Sequence, residues 1–216
     1  VITAHPAYVL HSFFVKINGG RAVTVDLDDD FQLDVEKINS TAGKLVLLCT
    51  PNNPTANAFR VDDLKAVIEG NDRPVVVDEA YGEFTGNSFL PLVERYDNLI
   101  VTRTFSKAYG LAGMRIGYMA AGLEMAEALQ KVKIPYSLNM IGERVAMAAL
   151  RDREFLERSV RVVNQERPFL SKGLSDLGFQ VFPSEANYIL FRSDIPSNLI
   201  TSRLAEKGVL VRDFGK

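Results

Sequence analysis

The chain has 216 residues, 47% of them hydrophobic and 24% charged, with a formal net charge of −2. This is ordinary globular composition with ample apolar material for a core, and the absence of a basic excess argues against nucleic acid or an anionic membrane surface as a partner. Cys49 is the only cysteine and His5 and His11 the only histidines, so an intrachain disulfide is excluded and a Cys/His metal site is disfavoured. Carboxylates alone could still hold a hard cation. No apolar run approaches the roughly 20 residues that span a bilayer, and no signal-like segment stands out. Together these features favour a reducing, cytoplasmic setting. The chain opens on Val1 rather than Met and closes on the strand-like Val209–Arg212 running into a loop, which leads us to expect an internal part of a longer protein.

Strand-like and helical patterns then alternate. Short runs rich in Val, Ile and Leu at 23–25, 44–49, 74–78, 99–102 and 116–119 read as strands buried on both faces. Helix candidates lie at 8–17, 34–38, 61–69, 90–96 and 124–131. This order predicts an α/β fold, a mostly parallel sheet covered by helices. From Gly142 to Gly178 the pattern predicts two helices or one long bent helix, with Pro168 at a break or at a first helical position. Strands at 180–182, 188–191 and 209–212 and a helix near 198–207 follow. We therefore expect a large domain with an interdomain helix over 1–164 and part of a small α+β domain over 165–216.

In open α/β sheets, ligands bind outside the carboxyl ends of the strands. Three successive strand ends carry polar clusters: Pro51-Asn-Asn-Pro54, Asp78-Glu-Ala-Tyr81 and Thr104-Phe-Ser-Lys107. Each residue has an ordinary reading when taken alone. Lys107 could be a solvated loop lysine, Asp78 a helix cap or ion-pair partner, Pro51–Pro54 only a stiff turn, and Arg115 a surface arginine. Each also has a chemical one. A lysine amine held away from water can form Schiff bases. A carboxylate at the end of a buried strand needs a partner and could accept from a protonated pyridine nitrogen. Thr104, Ser106 and Arg115 could together form an anion pocket. No G-x-G-x-x-G follows a strand, so a dinucleotide-binding reading fails.

In this order and spacing, Pro51-Asn-Asn-Pro-Thr55, Asp78-Glu-Ala-Tyr81 and Thr104-Phe-Ser-Lys107 with Arg115 resemble the fold-type I aminotransferases that depend on pyridoxal 5′-phosphate (PLP). Leu27–Asp34, Phe105–Gly113, Pro183–Tyr188 and Gly208–Phe214 are most similar to the histidinol-phosphate aminotransferase branch, and the resemblance spans essentially the whole chain. It implies that Lys107 holds PLP as a Schiff base and then moves the proton. It implies that Asp78 pairs with the pyridine nitrogen, and that Asn53 and Tyr81 hydrogen-bond the phenolic oxygen. Tyr8 would stack on the ring, Ala80 would pack on the opposite face, and Thr104, Ser106 and Arg115 would bind the cofactor phosphate. Arg212 matches an arginine that contacts the substrate's own phosphate. The implied reaction is transamination between histidinol phosphate and 2-oxoglutarate, in histidine biosynthesis. Alternatives within the superfamily are an aromatic aminotransferase or a threonine-phosphate decarboxylase, and outside it a non-catalytic binding module.

The resemblance further implies a homodimer, a segment upstream of Val1 that contributes to the cofactor phosphate site, and an arginine beyond residue 216 that grips the substrate carboxylate. One departure stands out. Ala56 occupies a position where the family commonly has glycine, and alanine fits the turn if its φ stays negative.

Overall fold

A computed structural model describes residues 1–215. Its centre is a six-stranded sheet built from β1 (Ile2–His5), β2 (Val23–Asp26), β3 (Val46–Cys49), β4 (Val75–Asp78), β5 (Leu99–Thr104) and β6 (Gly117–Ala121). The spatial order is β2-β1-β3-β4-β5-β6. The first five strands pair in parallel, and β6 runs antiparallel to β5. The crossovers carry α1 (Val9–Ile17), α2 (Val35–Ser40) and α3 (Val61–Glu69). The expected α/β architecture is thus observed.

Side chains alternate across a strand, and here the alternation decides what each face does. Ile2, Ala4, Val46, Leu48, Val75, Val77, Leu99 and Val101 are buried on one face, in one cluster with Ile38 of α2 and Leu64, Val67 and Ile68 of α3. The intervening Leu47 and Val76 are only half-buried. At the end of β4, Asp78 follows the parity of Val76, whereas Glu79 follows that of Val77.

After β6 come α4 (Leu123–Val132), α5 (Met140–Arg151) and α6 (Arg153–Asp176). The expected helical stretch is therefore two helices, divided at Asp152, whose carboxylate accepts from Phe155 N at 3.0 Å and caps α6. Pro168 does not break the helix, contrary to expectation; it sits inside α6. Proline at that position cannot donate to the Asn164 carbonyl, but both residues lie on the exposed side, where water can satisfy it. Residue 165, the expected domain division, falls within the same helix.

A two-stranded antiparallel sheet, β7 (Gln180–Val181) with β8 (Phe191–Arg192), and α7 (Ser197–Glu206) complete the described residues. Residues 2–5 form a strand beyond those expected from apolar runs. Two local expectations are corrected. The helix expected over 90–96 is a single 3₁₀ turn, Leu90–Leu92, with proline in its first turn. Residues 209–212 form no strand, since no neighbouring strand pairs with them among the described residues.

Candidate active site

In this sheet order β1 is flanked by β2 and β3, and the order in which successive strands are added reverses at the β1/β3 boundary. That boundary is the switch point at which open α/β sheets leave a crevice. Asn52 Nδ2 bridges it, donating to Pro6 O at 3.0 Å and to Thr55 Oγ1 at 2.8 Å. The loops after β1, β3, β4 and β5 gather at this edge.

Asp78 ends β4 and is held from three sides. Its Oδ1 accepts from Thr102 Oγ1 and from Ala80 N, both at 3.1 Å. Its Oδ2 lies 3.3 Å from His11 Nε2. A carboxylate only accepts, so that ring nitrogen carries the hydrogen. His11 is 11% and Asp78 22% exposed at the side chain, which leaves the carboxylate open on its remaining side. Tyr8, at the start of α1, meets the His11 ring edge-on at 5.5 Å. Tyr8 and Asp78 are therefore joined through His11, a site residue that the motifs do not include. Its signal was available: it lies three residues after Tyr8, one helical turn along.

A second group surrounds Tyr81. Asn53 Nδ2 donates to Tyr81 Oη at 3.2 Å. Lys107 Nζ lies 5.1 Å from the centre of the Tyr81 ring, a cation–π contact. Tyr188 meets Tyr81 edge-on at 5.3 Å and donates to Asn52 O at 2.8 Å. Burial pushes the Tyr188 hydroxyl well above the ordinary phenol range, with the Tyr81 hydroxyl adding to it, so it serves as a neutral donor. Ala80 and Tyr81 pack with Ala56, Ala108 and Tyr188. Beneath these groups, burial raises the Cys49 thiol, Asp78 raises it further, and Lys107 works in the opposite direction. The thiol thus sits within the fields of both charged groups, protonated and inert.

Thr104, Ser106, Lys107 and Arg115 lie on the β5–β6 hairpin. Phe105 N donates to Ile116 O at 3.1 Å and closes the loop, while Ser106 N donates to Thr104 Oγ1 at 3.1 Å. Arg115 has a left-handed backbone, φ 54°, and its exposed guanidinium donates to Ala112 O at 3.0 Å. Arg212 stands apart from these residues: it is exposed and rests over the Phe214 ring at 5.4 Å. The turn at 51–57 corrects one expectation. Ala56 is fully buried with φ 68°, so it adopts the glycine-like conformation rather than a negative φ. Its N–H donates to Asn52 O at 2.8 Å, and that bond fixes the turn and with it the conformation.

Among the described residues, no helix is long and apolar enough to cross a membrane, and no cluster of three or more His, Cys, Asp or Glu could hold a metal ion.

The chain that forms this edge is similar to known proteins. The family described as aminotransferase class I and II matches residues 1–216, and the chain belongs to that family. Among curated relatives it is 39% identical to histidinol-phosphate aminotransferase of Caldanaerobacter subterraneus, over 99% of this chain and 62% of the relative. It is also 39% identical to the enzyme of that name from Thermococcus gammatolerans, over 98% of this chain and 60% of the relative. The chain thus spans about three-fifths of the length of these relatives. Among solved structures, histidinol-phosphate aminotransferase from Sinorhizobium meliloti in complex with pyridoxal 5′-phosphate superposes with a TM-score of 0.89 at 29% identity, covering 98% of this chain and 61% of that one.

Proposed function

We propose that this chain is the greater part of a PLP-dependent aminotransferase that exchanges the amino group between histidinol phosphate and 2-oxoglutarate. The observation that carries the reading is the meeting of Asp78 and Tyr81, from the turn after β4, with Lys107, from the turn after β5, at one sheet edge. The residues present suit PLP group by group. Asp78 has an open side for a ring N–H. The Asn53–Tyr81 pair offers hydrogen bonds to a phenolate oxygen. Lys107 supplies an amine for covalent attachment. Thr104, Ser106 and Arg115 offer two hydroxyls and a guanidinium to a dianionic phosphate. When bound, PLP supplies an electron sink that makes loss of an amino acid's α-proton feasible.

The remaining chemistry belongs to the side chains. Asp78 presents a fixed negative charge, held in direction by Thr102, the Ala80 N–H and His11. A charge held this way keeps its hydrogen-bond partner protonated without reorganisation during reaction. With PLP bound, Lys107 Nζ would be the group that takes up and returns the proton, and its tether to the loop would keep that transfer local. Tyr8 would cover one face of the bound ring, and Arg212 would meet the substrate phosphate. Support for the histidinol-phosphate branch comes from the segments 27–34, 183–188 and 208–214 and from the curated relatives. The same reading includes a homodimer and a cytoplasmic location, in keeping with the family resemblance and the single buried thiol.

Parallel assays of the full-length enzyme test the substrate choice. Histidinol phosphate with 2-oxoglutarate should give the highest kcat/KM. Faster turnover of aromatic amino acids, or decarboxylation of threonine phosphate, would replace it with one of the two superfamily alternatives.

A further inference from the structure

Two buried charged residues have no part in the function proposed above. Glu79 is 1% and Arg103 10% exposed at the side chain. Asp78 pairs in register with Thr102, and successive side chains point to opposite faces. The next pair along, Glu79 and Arg103, therefore lies on the reverse of the sheet, directly behind the Asp78–Thr102 contact. Arg103 Nε and Nη2 donate to Glu79 Oε2 at 2.9 and 2.6 Å, while Nη1 reaches Glu83 Oε1 at 2.9 Å and Nη2 reaches Ser88 Oγ at 2.9 Å. Glu79 also accepts from Phe89 N and from Ser88 Oγ. Gly82 lies flat against this cluster: a Cβ there would come within 2.9 Å of Glu79 Cβ and 3.2 Å of the Arg103 Cζ.

The cluster sits where β4 and β5 part. Glu79 N donates to Thr102 O at 2.9 Å, and beyond that bond β4 turns toward Tyr81 while β5 runs on to Lys107. Burying three ionisable side chains is a poor route to stability, because apolar residues of similar volume often serve as well or better. What a guanidinium with several fixed partners provides is geometry.

We propose that Glu79 and Arg103 are positioning residues, a clamp behind the sheet that sets the separation and direction of Asp78 and Lys107 in front of it. This rests on the reading that those two residues hold the cofactor. Support beside the core would alone make Arg103 one more stabilising residue; a clamp makes the bound cofactor's orientation depend on it.

The test uses the full-length enzyme loaded with pyridoxal 5′-phosphate and compares Arg103→Lys with Val67→Ala, a core substitution on α3. Lysine keeps the charge but cannot reproduce the fork. We expect Arg103→Lys to lower visible circular dichroism per bound cofactor by about half and kcat by about tenfold, with KM changed less than about threefold. Val67→Ala should lower Tm and leave the dichroism per bound cofactor at the wild-type value. If Arg103→Lys loses Tm but keeps wild-type dichroism and kcat, as Val67→Ala does, the clamp is overturned. Should Arg103→Lys yield no folded protein, Ser88→Ala decides, since it removes one hydroxyl shared by Glu79 and Arg103. Reduced dichroism per bound cofactor supports the clamp, and an unchanged signal overturns it. A wild-type enzyme without a visible cofactor band would overturn the underlying functional reading and this inference with it. A normal wild-type band with an unaltered Arg103→Lys signal overturns this inference alone.

Discussion

Ala56 holds a left-handed backbone at φ 68° with its methyl group buried among Tyr81, Phe84, Ala108 and Ala186. For an L-residue that conformation costs roughly 1–2 kcal/mol, while the buried methyl group returns roughly 0.8 kcal/mol. Replacing a buried alanine by glycine normally destabilises a protein. Here we expect Ala56→Gly to be neutral or stabilising by up to about 1 kcal/mol, read as the change in urea midpoint. A loss above about 1 kcal/mol would show that packing outweighs backbone strain. Lys107→Ala makes the complementary prediction for chemistry. It should abolish the visible band that appears on adding pyridoxal 5′-phosphate and reduce turnover by about 10²–10⁴-fold or more. Lys107, Asp78, Asn53 and Tyr81 were legible in the sequence because each ends or follows an apolar strand, and a polar cluster at that position is conspicuous. His11 was not, because its link to Asp78 spans 67 positions and depends on β1 lying beside β3. The φ of Ala56 was hidden for a related reason: it follows from a bond back to Asn52 that turn composition does not specify.

At the scale of elements, hydrophobic runs located the strands well, because β3, β4 and β5 are central and apolar enough to stand out. Boundaries failed where a tertiary partner decided the outcome. Residues 209–212 have a strand's composition but no pairing edge among the described residues, and Pro168 sits in a helix because the Asn164 carbonyl it leaves unpaired is on the exposed side. The division between α5 and α6 has a local cause. Asp152 receives the end of one helix, where its N–H donates to Ala148 O at 3.1 Å, and its carboxylate caps the next. Asp152→Ala should remove that cap and cost about 1 kcal/mol, measured by chemical denaturation of the full chain. Asp152→Asn, which keeps an acceptor, should recover most of the loss.

For the molecule as a whole, the cluster behind the sheet gives stability a pH dependence. Burial raises Glu83 above the usual carboxylate range despite the opposing pull of Arg103, in keeping with its Oε2 being buried without a partner. Burial also draws Arg103 down, but Glu79 and Glu83 together more than reverse that and keep it charged. An acid raised in the folded state binds protons more tightly there than in the unfolded chain. Its contribution is therefore complete below the unfolded value near 4.5 and is lost as pH rises through the folded value. Relative to wild type, Glu83→Gln should gain stability between about pH 4 and neutrality, since glutamine has no proton to lose. Denaturation at both pH values checks the sign; a gain for wild type over that interval would contradict it.

The hairpin from Phe105 to Ile116 has a different kind of consequence. Its two ends are tied to each other, by the bond between Phe105 N and Ile116 O and by the antiparallel register of β5 with β6. Lys107 and Arg115 thus ride on one closed ring of chain. The ring also rests on later elements, since Phe105 and Ile116 pack with Ala146 of α5 and Ala108 packs with Leu156 and Val160 of α6. In the chain that follows, positions that do not pack on the ring can change without disturbing it, whereas Ala146, Leu156 and Val160 cannot. Arg212, exposed and set over the Phe214 ring, lies outside it.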